Sequence, residues 1–317
     1  MDNTTPLDGH RVVALPSPVK AKKAKEIPPF PAVLNIETTN ACNLECPMCA
    51  RTTSMTRPVQ DMRMDVFRKI IDQAAEHGVR AVNMHFLGEP LLAPGIFDMI
   101  EYAKRFPAIQ SVALSTNVTP LNERNADRLL ESGLDSVILA IDAFSEEIYT
   151  AVRGLDFSRV LANARRFLSM HRERRSRMRV AITIINMRMK QHELDSFRAE
   201  WAEFESEQVK ILVKQLTNFG GLVNLTKLGE LQRDDTGETR VPCRKIRQSL
   251  TITSAGEVIA CCYDANATMS YGNLRDTGLK EIWEGEAIRK LREKHQVLDF
   301  SGLPLCVNCD ATRAKLT

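Results

Sequence analysis

No apolar run in these 317 residues reaches the roughly 18 positions that a membrane-spanning helix needs, and the N-terminus has no apolar core of the kind a secretory signal carries. A cytoplasmic protein with no membrane partner is the expectation. Neither sign of charge is in excess: 43 basic residues face 40 acidic ones, for a net charge of +3. That balance gives little reason to expect a nucleic-acid partner. There are no internal repeats, and no low-complexity tract beyond the N-terminal arm. Small-molecule chemistry is the default class that these absences leave.

What the chain does hold is apolar material, 44% of its residues, enough to bury one barrel-sized domain with a small appendage. Its eight cysteines are grouped, at 42/46/49, 243, 261/262 and 306/309. Four disulfides would suit a short secreted domain, whereas grouped cysteines in a long chain of cytosolic character suit metal. Thiolates are soft ligands, fit for zinc or for iron–sulfur clusters.

Residues 1–30 combine Pro6, Pro16, Pro18, Pro28 and Pro29 with a Lys20/Lys22/Lys23/Lys25 run and show no apolar periodicity, which reads as a flexible, solvated arm. From residue 31 to about 220, strand-like runs at 33–39, 81–87, 111–117, 136–142, 180–185 and 209–215 alternate with helix-like stretches at 65–77, 95–106, 121–132, 157–175 and 192–204. Alternation of this kind predicts a parallel α/β sheet. Six units are too few for an eight-stranded barrel but suit a partial, open (β/α)6 barrel with its chemistry at the C-terminal ends of the strands. Residues 221–317 change character: strands at 249–253 and 258–260 flank a Gly256 turn, and a helix follows near 279–295. A small cysteine-bearing domain is expected there.

Cys42-Asn-Leu-Glu-Cys46-Pro-Met-Cys49 follows directly on the first predicted strand. Three thiolates can hold three irons of a [4Fe–4S] cube and leave the fourth iron open. A zinc knuckle would want a fourth close ligand, and the nearest candidates, Asp61 and His77, are not at zinc-finger spacing. The Cys-x3-Cys-x2-Cys spacing in this position resembles the radical S-adenosylmethionine (SAM) superfamily. Leu87-Gly88-Glu89-Pro90 is similar to that family's Gly-Gly-Glu-Pro segment, with Leu87 in place of the first glycine. The resemblance implies that Gly88, Glu89 and Pro90 hold the methionyl amine of SAM. It likewise implies that Ser115 and Asn117, at the end of the third strand, reach the ribose hydroxyls. Arg153, in Tyr149-x3-Arg153-Gly154, resembles the arginine that pairs with the SAM carboxylate. Met48 stands where the family usually has an aromatic residue. Without the resemblance, Gly-Glu-Pro reads as a turn, residues 115–117 as a helix cap and Arg153 as a surface arginine.

Cys243, Cys261, Cys306 and Cys309 form the second set, and on spacing alone both zinc and an iron–sulfur cube fit four cysteines. The region from Cys243 to Cys309, with Gly256-Glu-Val-x2-Cys261, Gly272-Asn273-Leu274 and Lys280-Glu-Ile-Trp283, resembles the truncated SPASM module called a twitch domain. That likeness implies one auxiliary [4Fe–4S] cluster held by the four cysteines. Cys262 is left over. It is either a buried small residue, an alternative ligand to Cys261, or a thiol that returns a hydrogen atom to a substrate radical. Asn83 and His85 alternate along the second strand and are candidates to point into the barrel, His85 more as a satisfied interior histidine. Asp142 ends the fourth strand, a location that favours function. The run 171–179, with five arginines, is expected to be the solvated end of a helix.

The resemblance implies a first half-reaction in which SAM yields a 5′-deoxyadenosyl radical that abstracts a substrate hydrogen atom, with an electron donor such as flavodoxin or ferredoxin as partner. Twitch enzymes of aminoglycoside biosynthesis include epimerases and dehydrogenases, and the sequence is similar to both. The expectation is an epimerase acting on a carbohydrate-like or aminocyclitol substrate, with Cys262 as the catalytic hydrogen donor. The alternatives are a dehydrogenase that uses the auxiliary cluster as electron acceptor, a maturase or epimerase of ribosomal peptides, and a non-enzymatic metal scaffold. The short stretch ahead of Cys42 counts against a peptide-recognition domain.

Overall fold

The computed structural model describes residues 27–154, 156–187, 189–225 and 238–315. The arm expected at 1–30 lies outside the described residues except for its last four, which are anchored. The Pro28 carbonyl accepts from Trp283 Nε1 at 3.2 Å, and the Phe30 ring packs 4.8 Å from that of His77.

The first part of the chain runs β1 (Val33–Ile36), α1 (Ala50–Thr53), α2 (Met64–Glu76), β2 (Ala81–Asn83), α3 (Ile96–Lys104), β3 (Ser111–Thr116), α4 (Glu123–Glu131), β4 (Ser136–Ala140), α5 (Glu146–Arg153), α6 (Phe157–Glu173), β5 (Arg179–Asn186), α7 (Gln191–Trp201) and β6 (Val209–Gln215). These strands pair in parallel in sequence order, β1 to β6. The central strands are aliphatic and buried on both faces, as in Val137, Ile138 and Leu139 of β4. Side chains start the helices: Asn122 Oδ1 accepts from Asn125 N ahead of α4, and Asp156 Oδ1 from Arg159 N ahead of α6. The helix α5 was not foreseen; Ser145 caps it at one end and Gly154, in the left-handed region, at the other.

The second part runs β7 (Glu238–Arg240), α8 (Lys245–Gln248), β8 (Ser249–Ile252), β9 (Glu257–Ile259), β10 (Ser270–Asn273), α9 (Leu279–Glu284), α10 (Glu286–Gln296), α11 (Pro304–Val307) and β11 (Arg313–Lys315). The fold is α/β: a partial (β/α)6 barrel with a small C-terminal hairpin-and-helix domain. The two parts share one sheet. β8 lies parallel to β1, with Val33 opposite Ser249, so the order among the described residues is β10-β9-β8-β1-β2-β3-β4-β5-β6. Asn83, Asn35 and Thr251 form a polar ladder across β2, β1 and β8, which occupies Asn83. The single helix expected near 279–295 is two, because the backbone turns extended at Gly285. His171, in the run expected to be solvated, is buried with Nε2 2.7 Å from the Met178 carbonyl oxygen, while Arg172, Arg174, Arg175 and Arg177 are exposed.

Candidate active site

After β1 the chain crosses the C-terminal end of the sheet as residues 37–49. Arg51 pins this crossing, its Nε donating to the Asn40 carbonyl at 2.7 Å. Cys49 N donates to the Cys46 carbonyl at 3.0 Å, closing a tight turn, and the Cys49 carbonyl then starts α1 by accepting from Thr52 and Thr53. The end of the second strand clamps the same crossing. Gly88 has φ +82°, and a Cβ there would lie 2.4 Å from the Thr39 carbonyl oxygen and 2.8 Å from that of Ala41. Only glycine allows that approach, and it lets Glu89 N donate to the Ala41 carbonyl at 2.8 Å.

Cys42, Cys46 and Cys49 line one cavity of about 390 Å³. Burial raises all three thiols, while at Cys46 the Arg153 guanidinium pulls the other way. Arg153 Nη1 lies 3.5 Å from Cys46 Sγ, and Asn117 Nδ2 3.7 Å from Cys42 Sγ. Donors aimed at sulfur suit thiolates, the form in which cysteine binds metal. Among the described residues no three Cys, His, Asp or Glu side chains converge as ligands of a single ion. Three thiols of one loop around a single cavity match the three protein ligands that a four-iron cube with an open corner takes.

Glu89 is buried to 1% exposure. Its Oε1 accepts from Leu91 N at 3.1 Å and its Oε2 from Asn117 N at 2.6 Å, joining the ends of the second and third strands. Burial nevertheless pushes its carboxyl up to about 7, the two backbone donors only partly offsetting that. Asn117 Nδ2 also donates to Asn43 Oδ1 at 3.0 Å, so β3 braces the cysteine loop. Arg153 reaches back from α5 to Asp142, and its Nη2 donates to the Ala140 carbonyl at 3.3 Å. Although burial works against the charge, Asp142 and Cys46 together hold Arg153 above the usual arginine value. Asp142 has φ 57°, and its Oδ1 accepts from Ile185 N at 2.9 Å. Its role in the structure is to orient the arginine.

Lys214, at the end of β6, lines the cavity, and its side chain makes no hydrogen bond or ion pair among the described residues. Burial lowers its pKa. His85 also lines the cavity; its Nδ1 is buried with no partner among the described residues, and burial, with Lys214 beside it, brings its pKa down to about 4.

The second thiol group lies behind the hairpin. Cys243, Cys306 and Cys309 are buried; burial first, and Cys243 in addition, pushes Cys306 up to about 12 and Cys309 to about 11. His295 joins two of them: Cys243 N donates to Nδ1 at 3.3 Å, and Nε2 lies 3.4 Å from Cys306 Sγ. Tyr271 feels both Cys306 and Cys261, which brings Cys261 to the same region. Cys261 and Cys262 follow β9, which ends at Ile259. Strand alternation therefore does not separate them, and their thiols lie side by side, Cys261 raised and Cys262 lowered to about 6 by the hydrogen bond between them. Lys245 Nζ adds to that lowering from 3.2 Å. The same ammonium sits 3.7 Å over the Tyr263 ring, which packs on the cavity residue Phe219 at 5.1 Å. Cys262 is not among the residues that line the cavity.

A parallel α/β sheet with a thiol-walled cavity at its strand ends, and a second group of buried thiols beyond it, defines an iron–sulfur enzyme of the partial-barrel type. Residues 36–195, half of the chain, match the model of the Radical SAM superfamily, and residues 243–310 match SPASM, an iron–sulfur cluster-binding domain. The chain belongs to the radical SAM superfamily, and its cofactors are SAM and [4Fe–4S] clusters. It is similar to the GTP 3',8-cyclase of Chlorobaculum tepidum, at 37% identity over 125 residues, 39% of this chain and 36% of that protein. The chain thus spans little more than a third of that relative. The PqqA peptide cyclase of Gluconobacter oxydans is 23% identical over 285 residues, 81% of this chain and 77% of that protein. BtrN in complex with AdoMet and 2-DOIA shares the fold with a TM-score of 0.60 at 17% identity, over 89% of this chain and 93% of that one. Streptococcus suis SuiB bound to precursor peptide SuiA does so with a TM-score of 0.68 at 15% identity, over 83% and 67%. No helix among the described residues is long and apolar enough to cross a membrane.

Of the residues singled out from the sequence, Cys42, Cys46, Cys49, Gly88, Glu89, Ser115, Asn117 and Arg153 meet in one cavity. Pro90 instead begins the short 3-10 turn beside it. Lys214, His295 and the pair Glu37 and Arg57 were missed. Arg57 grips the fully buried Glu37 carboxylate at 2.8 and 2.9 Å, Ser254 N and Oγ donate to it at 2.9 and 3.0 Å, and Arg57 Nε reaches the Ala265 carbonyl at 2.7 Å. That lattice ties the cysteine crossing to the C-terminal hairpin. A glutamate directly after the first strand was the one available signal.

Proposed function

We propose that this enzyme epimerises a carbon of a sugar- or aminocyclitol-like molecule, with Cys262 returning the hydrogen. When bound, SAM and its cluster supply a carbon-centred radical able to take a hydrogen atom from the substrate. Cys42, Cys46 and Cys49 hold that cluster in our assignment; Glu89 and Arg153 receive the amine and carboxylate of SAM, with Gly88 and Pro90 fixing the strand edge, and Ser115 and Asn117 receive its ribose. Cys243, Cys261, Cys306 and Cys309 hold the auxiliary cluster, in a domain that we begin at about residue 221. The observation that carries the epimerase is the Cys262–Lys245 pair: a thiol outside the buried Cys243/Cys306/Cys309 group with its own ammonium 3.2 Å away. Lys245 holds the resting sulfur as a thiolate; its proton moves to the sulfur to make the S–H that gives a hydrogen atom, one electron from the cell's reductant then returns the thiyl to a thiolate, and a solvent proton restores the ammonium. We place the enzyme in the cytoplasm, with flavodoxin or ferredoxin as donor.

Peptide modification is the second function with support of its own, because a relative aligned over most of this chain is a peptide cyclase. Dehydrogenation is the third, favoured by Lys214, an unpaired amine of lowered pKa available to take a substrate proton. One experiment separates all three. The anaerobically reconstituted enzyme is incubated in heavy water with SAM and either aminocyclitols or precursor peptides, and products are analysed by mass. An inverted sugar carbon bearing one solvent deuterium, lost in Cys262→Ala while 5′-deoxyadenosine still forms, is the expected result. An oxidised product without deuterium, or turnover of peptides alone, would overturn it.

A further inference from the structure

His295 lies near the end of α10 at 1% exposure. Its two ring nitrogens face two of the assigned auxiliary ligands, the backbone of Cys243 and the sulfur of Cys306. A backbone N–H can only donate, so Nδ1 must offer its lone pair. The ring is then neutral, with its proton on Nε2, and that N–H points at Cys306 Sγ. The edge of Phe300, 4.9 Å away at 89° between the planes, holds the ring in this orientation. Other donors nearby do not compete for the sulfur: Arg240 Nη1 is directed to the carbonyls of Cys306 and Cys309 at 3.2 and 3.4 Å and to Thr312 Oγ1 at 2.5 Å.

We propose that His295 is a positioning residue that donates a hydrogen bond to the Cys306 thiolate and thereby raises the reduction potential of the auxiliary cluster, without being a ligand. This rests on the assignment of Cys306 to that cluster. The physical basis is charge: the reduced cluster carries one more negative charge than the oxidised one, so a donor to a ligand sulfur stabilises the reduced form more. A histidine clamped by the backbone of a second ligand keeps its N–H aimed in both states. The same bond makes the cluster a better electron acceptor.

The test uses the full chain with Cys42, Cys46 and Cys49 changed to Ala, so that only the auxiliary cluster is observed. His295→Leu removes the donor and His295→Gln retains one. Iron is counted, and the cluster is titrated potentiometrically with detection by electron paramagnetic resonance. The expected result in His295→Leu is a cluster that is about tenfold harder to reduce, a fall of about 59 mV for one electron, with His295→Gln recovering most of it. An unchanged midpoint in His295→Leu would overturn the proposal, as would loss of iron from both variants. If only His295→Leu loses its iron, pulsed resonance on the 15N-histidine-labelled parent decides: weak coupling to an exchangeable N–H supports a donor, and strong coupling means a ligand. Absence of iron from the parent before His295 is touched would instead disprove the cysteine assignment.

Discussion

Glu89→Gln probes how the cavity manages a buried carboxyl. Burial pushes Glu89 from its ordinary 4.5 to about 7, so the folded chain binds that proton more tightly than the unfolded chain. The stability this contributes is full below about pH 4.5 and is lost as pH rises through 7. Between pH 5 and pH 8 the loss amounts to about 2.5 kcal/mol. His85 and His295 act in the opposite sense, because burial lowers both to about 4; their contribution grows as pH rises to about 6.5. The wild-type profile alone is thus a partial cancellation, and the informative quantity is its difference from the variant. Glutamine keeps the shape but turns an NH2 toward either Leu91 N or Asn117 N, at a cost of about 1–3 kcal/mol at every pH. In urea unfolding of the apoprotein followed by circular dichroism, the variant should therefore start less stable at pH 5 and gain about 2.5 kcal/mol on the wild type by pH 8. A gap that stays constant across this range would refute the reasoning that burial holds the proton.

Replacing Cys42, Cys46 and Cys49 together with Ala should leave about half of the roughly eight irons of the reconstituted protein, because each cysteine set serves one cube; zinc or no iron in the variant would remove the auxiliary cluster. Gly88→Ala should cost about 1–3 kcal/mol through its backbone angle alone and more through the Thr39 and Ala41 carbonyls, and thermal unfolding together with iron content should both fall; a variant loaded and stable as wild type would contradict the clamp. Arg153→Ala should weaken SAM binding by about 1.5–3 kcal/mol and also destabilise the chain, since it leaves Asp142 buried and unpaired. Adding Asp142→Asn should restore stability but not SAM affinity, as read by thermal shift and equilibrium dialysis; recovery of affinity would mean that Arg153 serves only Asp142.

Much of the site was legible because the motifs sit where periodic strands end. The β-branched runs at 111–116 and 136–140 mark β3 and β4, and the residues just beyond them, Asn117 and Asp142, line the cavity. What escaped was long-range. Nothing local in Val33 announces that its neighbour on one side is Ser249, and nothing in Glu37 reveals that its carboxylate is shared by Arg57 and Ser254. Lys214 follows the apolar run Ile211-Leu212-Val213 with no motif around it to mark it. Its meaning comes from the cavity it faces, which six strands build together. Cys261 and Cys262 lie beyond the end of β9 at Ile259, so the period of a strand says nothing about which way either thiol points.

The pairing of β8 with β1 joins residues 216 positions apart, as Asn35 and Thr251 show. A chain emerging from the ribosome offers β1 first, with β2 soon available on one flank, but the other flank stays open until about residue 252 has been made. Throughout that interval β1 presents an unpaired edge, the kind that invites wrong partners, and Glu37 lacks Ser254. The crossing that carries Cys42, Cys46 and Cys49 hangs from this same strand, so it reaches its final shape among the last parts of the molecule although it is among the first translated. Closing so distant a contact is slow. On the cysteine assignments proposed above, iron loading at the first site would wait on the synthesis of the region that holds the second.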